Sequence, residues 1–334
     1  MSLSYLVIVT ASSESLHRYT RRVNGPVADA LALGTAQLGM PYGIANRVGG
    51  LDENAAHAIL DAAWRMGIRV LDTAQAYGAS EAVIGRYLCG PRAPMAPSAQ
   101  IITKLHPELN LVRVNDVQRS LENSWARLGR RQIWGVLLHR EEQLRHLGGP
   151  LGEILQEWRA QGRIRHVGVS VYSEEHMAQA VGTSDIEIIQ APLSPLDRRM
   201  ERAGLVAAAE AAGKKLFVRS VFLQGLITLE PDEAARRLPL AADAVGCLAA
   251  FCGRRHIDRR EFAIGYVRHR ARSALLVIGA ETVPQVRDNC DLVAQGQGEA
   301  RAYDEWDSEW PSDDPILVNP SRWPPSTVLH RDRS

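Results

Sequence analysis

Short apolar runs alternate with amphipathic segments from Leu31 almost to the end of the chain. The strand-like runs are predicted at Leu31–Thr35, Ile68–Leu71, Ile101–Thr103, Ile133–Leu138, His166–Val169, Glu187–Ile189, Leu216–Val218 and Leu275–Ile278. Between them, the stretches 55–66, 115–128 and 151–160 repeat apolar residues three and four apart, the period of a helix with one buried face. Asp52 is placed to cap the first of these helices, whose opening turn carries Glu53. Gly67 and Gly129 stand where helix C-caps belong, and Gly162 follows the third helix.

Eight buried strands with helices between them predict an α/β fold, a single-domain (β/α)8 TIM barrel over residues 31–295. A doubly wound sheet is the alternative, but no Gly-x-Gly-x-x-Gly turn follows the first strand. Residues 229–259 insert helical material before strand eight, which predicts an elaborated loop at the barrel mouth. Residues 296–334, rich in Pro, Asp and Trp, read as a C-terminal tail packed on the barrel. The N-terminal stretch, residues 1–30, leaves two readings open: a hairpin of Tyr5–Thr10 with Val27–Leu33 that closes the barrel bottom, or a flexible arm at Ala11–Asn24.

Composition narrows the setting. A net charge of +1 over 334 residues gives no electrostatic reason to expect nucleic acid or an anionic membrane as partner. No apolar run approaches a membrane span of ~18 residues, and Tyr5–Thr10 lacks the flanks of a signal peptide. The four cysteines form no C-x-x-C pair. Cys247 and Cys252, five apart on a helix, share a face poorly, so free thiols in a reducing cytoplasm are expected, with no metal. Oligomeric state is not encoded.

The candidate chemistry lies at the strand ends. Asp72, Lys104 and His139 each follow an apolar run, and Tyr77 comes five residues after Asp72 in Leu71-Asp-Thr-Ala-Gln-Ala-Tyr-Gly-Ala-Ser-Glu81. The carboxyl ends of parallel barrel strands converge on one mouth, where barrel enzymes carry out their chemistry. An acid, a phenol, an amine and an imidazole together there make a proton-transfer site. Hydride delivery to a carbonyl carbon leaves an alkoxide that must be protonated. Tyr77 is the expected acid, with Lys104 lowering its pKa, Asp72 holding Lys104, and His139 orienting the carbonyl oxygen.

These residues, in this order, resemble the aldo/keto reductase family. The match takes in Asp72 to Glu81, Lys104 in Ile-Ile-Thr-Lys and His139 in Leu-Leu-His-Arg. It continues through Gly34-Thr-Ala-Gln-Leu-Gly-Met-Pro-Tyr-Gly-Ile-Ala-Asn46, Gly168-Val-Ser-Val-Tyr172, Gln190, Arg219-Ser-Val-Phe-Leu-Gln-Gly225, Ile278-Gly-Ala-Glu281 and Asn289. The resemblance implies Asp72, Tyr77, Lys104 and His139 as a catalytic tetrad. It also implies NAD(P)H-dependent reduction of an aldehyde or ketone, or the reverse oxidation. Gly34, Thr35, Ala36, Ser170, Gln190, Arg219, Phe222, Gln224, Gly279, Ala280, Gln285 and Asn289 are the implied cofactor residues.

Several positions depart from the family pattern. Val171 replaces the Asn that pairs with the Ser at the nicotinamide carboxamide. Arg219 replaces the aromatic residue that stacks on the ring, and its alternatives are an anion-binding role or a salt bridge at the barrel rim. Where many relatives hold the 2′-phosphate with Lys-Ser and a later Arg, this chain reads Gly279, Ala280 and Gln285, with Glu281 adjacent. Backbone N–H groups at Gly279 and around 282–286 can still face an anion, and Asn289 can meet the adenine or ribose. Family habit favours NADP, with NAD the alternative.

Met40, Tyr42, His106, Arg140 and Tyr172 are the candidate substrate residues. With Arg219 they make a polar, partly cationic mouth that suits a sugar or sugar derivative better than a steroid. Two other functions stay open: a redox-neutral step such as epimerisation or elimination through a transient ketone, and a cofactor-sensing binding protein.

Overall fold

The computed structural model describes residues 30–91, 98–295, 298, 300–310 and 313–324. The strands are β1 (Leu31–Gly34), β2 (Val70–Asp72), β3 (Gln100–Lys104), β4 (Ile133–Leu138), β5 (Ile164–Ser170), β6 (Ile188–Pro192), β7 (Lys215–Arg219) and β8 (Leu275–Gly279). They close into a barrel in sequence order, every neighbouring pair parallel, with β1 also paired to β8. This is the (β/α)8 barrel that the strand–helix alternation predicts. The hairpin considered for the N-terminal stretch lies largely outside the described residues, and Leu31–Gly34 is itself the first barrel strand.

The main helices between the strands are α1 (Glu53–Arg65), α2 (Ser80–Cys89), α3 (Val114–Leu128), α4 (Pro150–Ala160), α5 (Glu174–Gly182) and α6 (Leu205–Ala211). After β7 come α7 (Pro231–Arg237), α8 (Ala242–Arg254) and α9 (Arg259–Arg270), and after β8 come α10 (Val283–Gln295) and α11 (Ala300–Glu309). Asp52 accepts from the N–H of Ala55 at 2.8 Å, capping α1. Gly67, Gly129 and Gly162 all adopt positive φ just past their helices, the conformation that ends a helix cheaply with glycine. No helix among the described residues is long and apolar enough to cross a membrane.

The barrel interior explains the position of the site. Ala32, Val70, Ile102, Leu137, Ile188 and Phe217 pack together as one buried cluster, with Val277 against it. Two residues further along the same strands come Gly34, Asp72, Lys104, His139, Gln190, Arg219 and Gly279. Side chains on a strand alternate faces, so these residues form the next inward layer above the apolar plug. Polar groups can occupy that layer because the plug ends there and the mouth begins.

The segment after β7 bears on that mouth. Arg237 of α7 donates to the carbonyl of Ile44 at 2.6 Å, and Glu233 pairs with Arg47 at 2.5 Å, joining the insertion to the loop after β1. At the other side, Trp306 of α11 is buried, stacked on Trp310 and edge-on to Phe251 of α8, and its indole donates to the carbonyl of Pro195 at 2.8 Å.

Candidate active site

Two glycines set the turn that carries Tyr77. A Cβ on Gly39 would lie 2.0 Å from the Tyr77 carbonyl oxygen, and one on Gly78, whose φ is +55°, would lie 2.4 Å from the Gly39 carbonyl. Backbone meets backbone there, which only glycine permits. The Thr35 hydroxyl donates to the Asp72 carbonyl at 2.9 Å, Ser80 Oγ lies 2.9 Å from Thr35 Oγ1, and Thr73 donates to Ser80 at 3.0 Å. Behind this turn Glu81 accepts from Thr103 at 2.6 Å and from Arg127 Nε at 2.7 Å, binding α2 to β3 and α3. The Thr, Ser and Glu of the Asp72–Glu81 stretch are thus the buried frame that holds Asp72, Tyr77 and Lys104 in mutual register.

Lys104 Nζ lies 2.8 Å from each carboxylate oxygen of Asp72 and 3.1 Å from the Thr73 carbonyl. These contacts use all three ammonium hydrogens. Gln190 Nε2 also donates to Asp72 Oδ1 at 2.8 Å. The ammonium sits 5.0 Å from the centroid of the Tyr77 ring, and the Tyr77 and His139 rings meet edge to face with centroids 6.0 Å apart.

Electrostatics corrects one expectation. Burial pushes the Tyr77 phenol up, and the Asp72 charge pushes it further, so the net shift is upward despite the nearness of Lys104. Its ammonium is already shared between Asp72 and Thr73. The phenol therefore keeps its proton throughout the neutral range. Burial, followed by the charges of Lys104 and Arg219, pushes the His139 imidazole down to about 3, so the ring is neutral. Its Nδ1 is buried with no hydrogen-bond partner, which leaves Nε2 as the nitrogen available to a ligand.

One cavity of about 550 Å³ joins these groups. All four tetrad candidates line it, as do Gly34, Thr35, Ala36, Ser170, Gln190, Arg219, Phe222, Gln224, Gly279, Ala280, Gln285 and Asn289. Tyr42 and Tyr172 line it too, whereas Met40, His106 and Arg140 do not. Arg140 is paired outward with Glu108, His106 Nδ1 accepts the Glu108 N–H at 3.2 Å, and Met40 is exposed.

Arg219 is not a rim salt bridge, since no carboxylate among the described residues pairs with it. Its guanidinium lies over the Tyr172 ring at 3.7 Å, donates to the Val171 carbonyl at 2.8 Å and reaches Ser170 Oγ at 3.4 Å. Val171, apolar and buried, supplies backbone instead of an amide side chain: its N–H donates to the Gln190 carbonyl at 2.9 Å. Sequence reading missed Gln37, Arg47 and Arg260, all of which line the cavity. Gln37 was legible, two residues past Thr35 inside the matched motif. Arg260 lies on a helix whose approach to the mouth no local pattern encodes. No group of three His, Cys, Asp or Glu among the described residues could hold a metal.

A closed parallel barrel with an acid–base set gathered at its carboxyl-terminal mouth is the architecture of a barrel enzyme. The chain belongs to the Aldo/keto reductase family, whose model matches residues 30–310, and it is an oxidoreductase. It is 27% identical over 315 residues to pyridoxal 4-dehydrogenase of Microbacterium luteolum, covering 79% of this chain and 89% of that one. It is 29% identical over 310 residues to D-threo-aldose 1-dehydrogenase of a Pseudomonas species, covering 80% and 92% respectively. The fold matches an aldo-keto reductase from Bacillus halodurans in its holo form, with TM-score 0.67 and 22% identity over 84% of this chain and 91% of that one.

Proposed function

We propose that this protein reduces the carbonyl of a small hydroxylated aldehyde or ketone, a sugar or sugar derivative, with NADPH. The observation that carries the reading is the convergence of Tyr77, His139 and the buried Asp72–Lys104 pair on one cavity. A name among the relatives, an NADP-linked reductase of Schizosaccharomyces pombe, supports the cofactor, and the aldose dehydrogenase supports the substrate class.

The cavity fits a dinucleotide in size, within the roughly 300–1,000 Å³ usual for ligand sites. It also fits in donor chemistry: Ser170 and Gln190 sit beside the tetrad, and Gln285, Asn289 and Arg260 line the same space. A reduced nicotinamide, when bound, supplies the hydride. The chain does the rest. His139 Nε2 donates to the carbonyl oxygen and orients it, without carrying charge. Tyr77 gives its proton to that oxygen as negative charge develops there. Lys104, beneath the ring face, stabilises the phenolate as it forms, and Asp72, itself held by Gln190, keeps Lys104 in place. Arg219, Tyr42 and Tyr172 offer hydrogen-bond partners to substrate hydroxyls.

The test is incubation with NADPH and a panel of aldoses and hydroxy-aldehydes, with products identified by mass spectrometry. An alcohol two hydrogens heavier, formed one for one with oxidised cofactor, supports the reading. An isomer formed with no net cofactor change contradicts it and marks a redox-neutral reaction.

A further inference from the structure

The cofactor pocket carries no Lys or Arg at Gly279, Ala280 or Gln285, yet it does not lack a cation. We infer that Arg260, delivered by α9 from before β8, recognises the ribose 2′-phosphate of NADP(H). This rests on the dinucleotide reading above.

Arg260 is held in place from both ends. Asp258 caps α9 by accepting the N–H groups of Arg260 at 2.8 Å and Glu261 at 3.1 Å, which fixes Arg260 in the first turn. Its Nη2 then donates across to Asn289 Oδ1 on α10 at 2.7 Å. Asn289 is buried and lies one helical turn past Gln285, so the guanidinium stands beside the residues expected at the adenosine end. Arg260, Asn289, Gln285 and Phe222 all line the cavity that holds the tetrad.

The charge there is largely uncommitted. The carboxylate paired with Arg260, Asp288, is 3.5 Å away with its side chain 55% exposed, a contact worth little in water. The close partner, Asn289, is a neutral amide. Arg47, another cavity-lining cation, is 69% exposed and already paired with Glu233 at 2.5 Å. Gln285 uses its amide oxygen on the Glu281 N–H at 2.7 Å. Glu281 also lines the cavity, but the carboxylate that pairs with Arg260 is that of Asp288. A planar guanidinium with donors to spare suits a phosphate better than a lysine ammonium would.

Calorimetric titration of the full chain with NADPH, NADH and adenosine 2′,5′-bisphosphate tests this without turnover. Arg260→Gln is expected to weaken NADPH and the bisphosphate about 10- to 100-fold, the range for loss of a charge-assisted contact, and NADH less than about threefold. Arg260→Lys should retain part of the preference. Equal weakening of both dinucleotides, or of neither, would overturn the assignment. So would a wild-type preference for NADH that Glu281→Gln abolishes, because Glu281 would then be reading a free 2′-hydroxyl. A wild-type chain that binds neither dinucleotide removes the reductase reading itself, whereas binding of both without discrimination at Arg260 removes only this inference. Unchanged unfolding midpoints for the variants separate lost contacts from lost fold.

Discussion

Lys104 Nζ is 2.8 Å from both carboxylate oxygens of Asp72, with the two side chains only 1% and 4% exposed. The attraction between them offsets the cost of taking both charges out of water only while both are present. Lys104→Met should therefore cost about 3–5 kcal/mol of stability by leaving Asp72 buried and unpaired. Urea unfolding would read this as a lower midpoint with an unchanged slope. A variant as stable as the wild type would mean that water reaches the pair.

Acid should act on the fold through His139. Its pKa is about 3 when folded and near the ordinary imidazole value when unfolded, so below that ordinary value the unfolded chain binds the extra proton. Stability is then full above about pH 6.5 and falls as pH drops towards 3, by at most about 1.4 kcal/mol per pH unit from this group. His139→Asn should flatten that part of the curve of unfolding free energy against pH. An equally steep curve in the variant would assign the acid sensitivity to other groups.

The turn at Tyr77 depends on two glycines. Gly39→Ala drives a methyl to 2.0 Å from the Tyr77 carbonyl, against backbone that cannot yield as a side-chain tip would. A cost of about 1–3 kcal/mol and a displaced Tyr77 are expected. Turnover should fall more than stability does, and an alanine variant with wild-type turnover would show that the turn adapts.

Arg219 should separate binding from chemistry. It touches Tyr172, Val171 and Ser170 but no carboxylate, so Arg219→Ala deletes a stacking and hydrogen-bonding platform without orphaning a buried charge. KM for a hydroxylated substrate is expected to rise about tenfold or more, with unfolding little changed. An unchanged KM for every substrate tried would place Arg219 outside substrate binding.

Much of this was legible because strands obey a period of two. Once the apolar runs were read as parallel strands, Asp72, Lys104, His139, Gln190 and Arg219 fell two places beyond residues that fill the barrel, at its mouth. Arg140 and His106 each lie two places past the ends of β4 and β3, where alternation no longer governs direction, and local pairing with Glu108 sets where both point. Arg260 was not legible, since its place depends on how α9 packs against α10. The direction of the Tyr77 shift was not legible either. It follows from the desolvation of the phenol in the mouth and from the Asp72 charge beside it, and neither is written in the spacing of residues.

The central claim is that Tyr77 gives the proton that completes carbonyl reduction. The most direct measurement compares wild type and Tyr77→Phe in NADPH-dependent reduction of a small hydroxy-aldehyde, with cofactor affinity measured in parallel. The account predicts a fall in kcat of about 10²- to 10⁴-fold with cofactor affinity unchanged. Equal kcat values in the two proteins would contradict it.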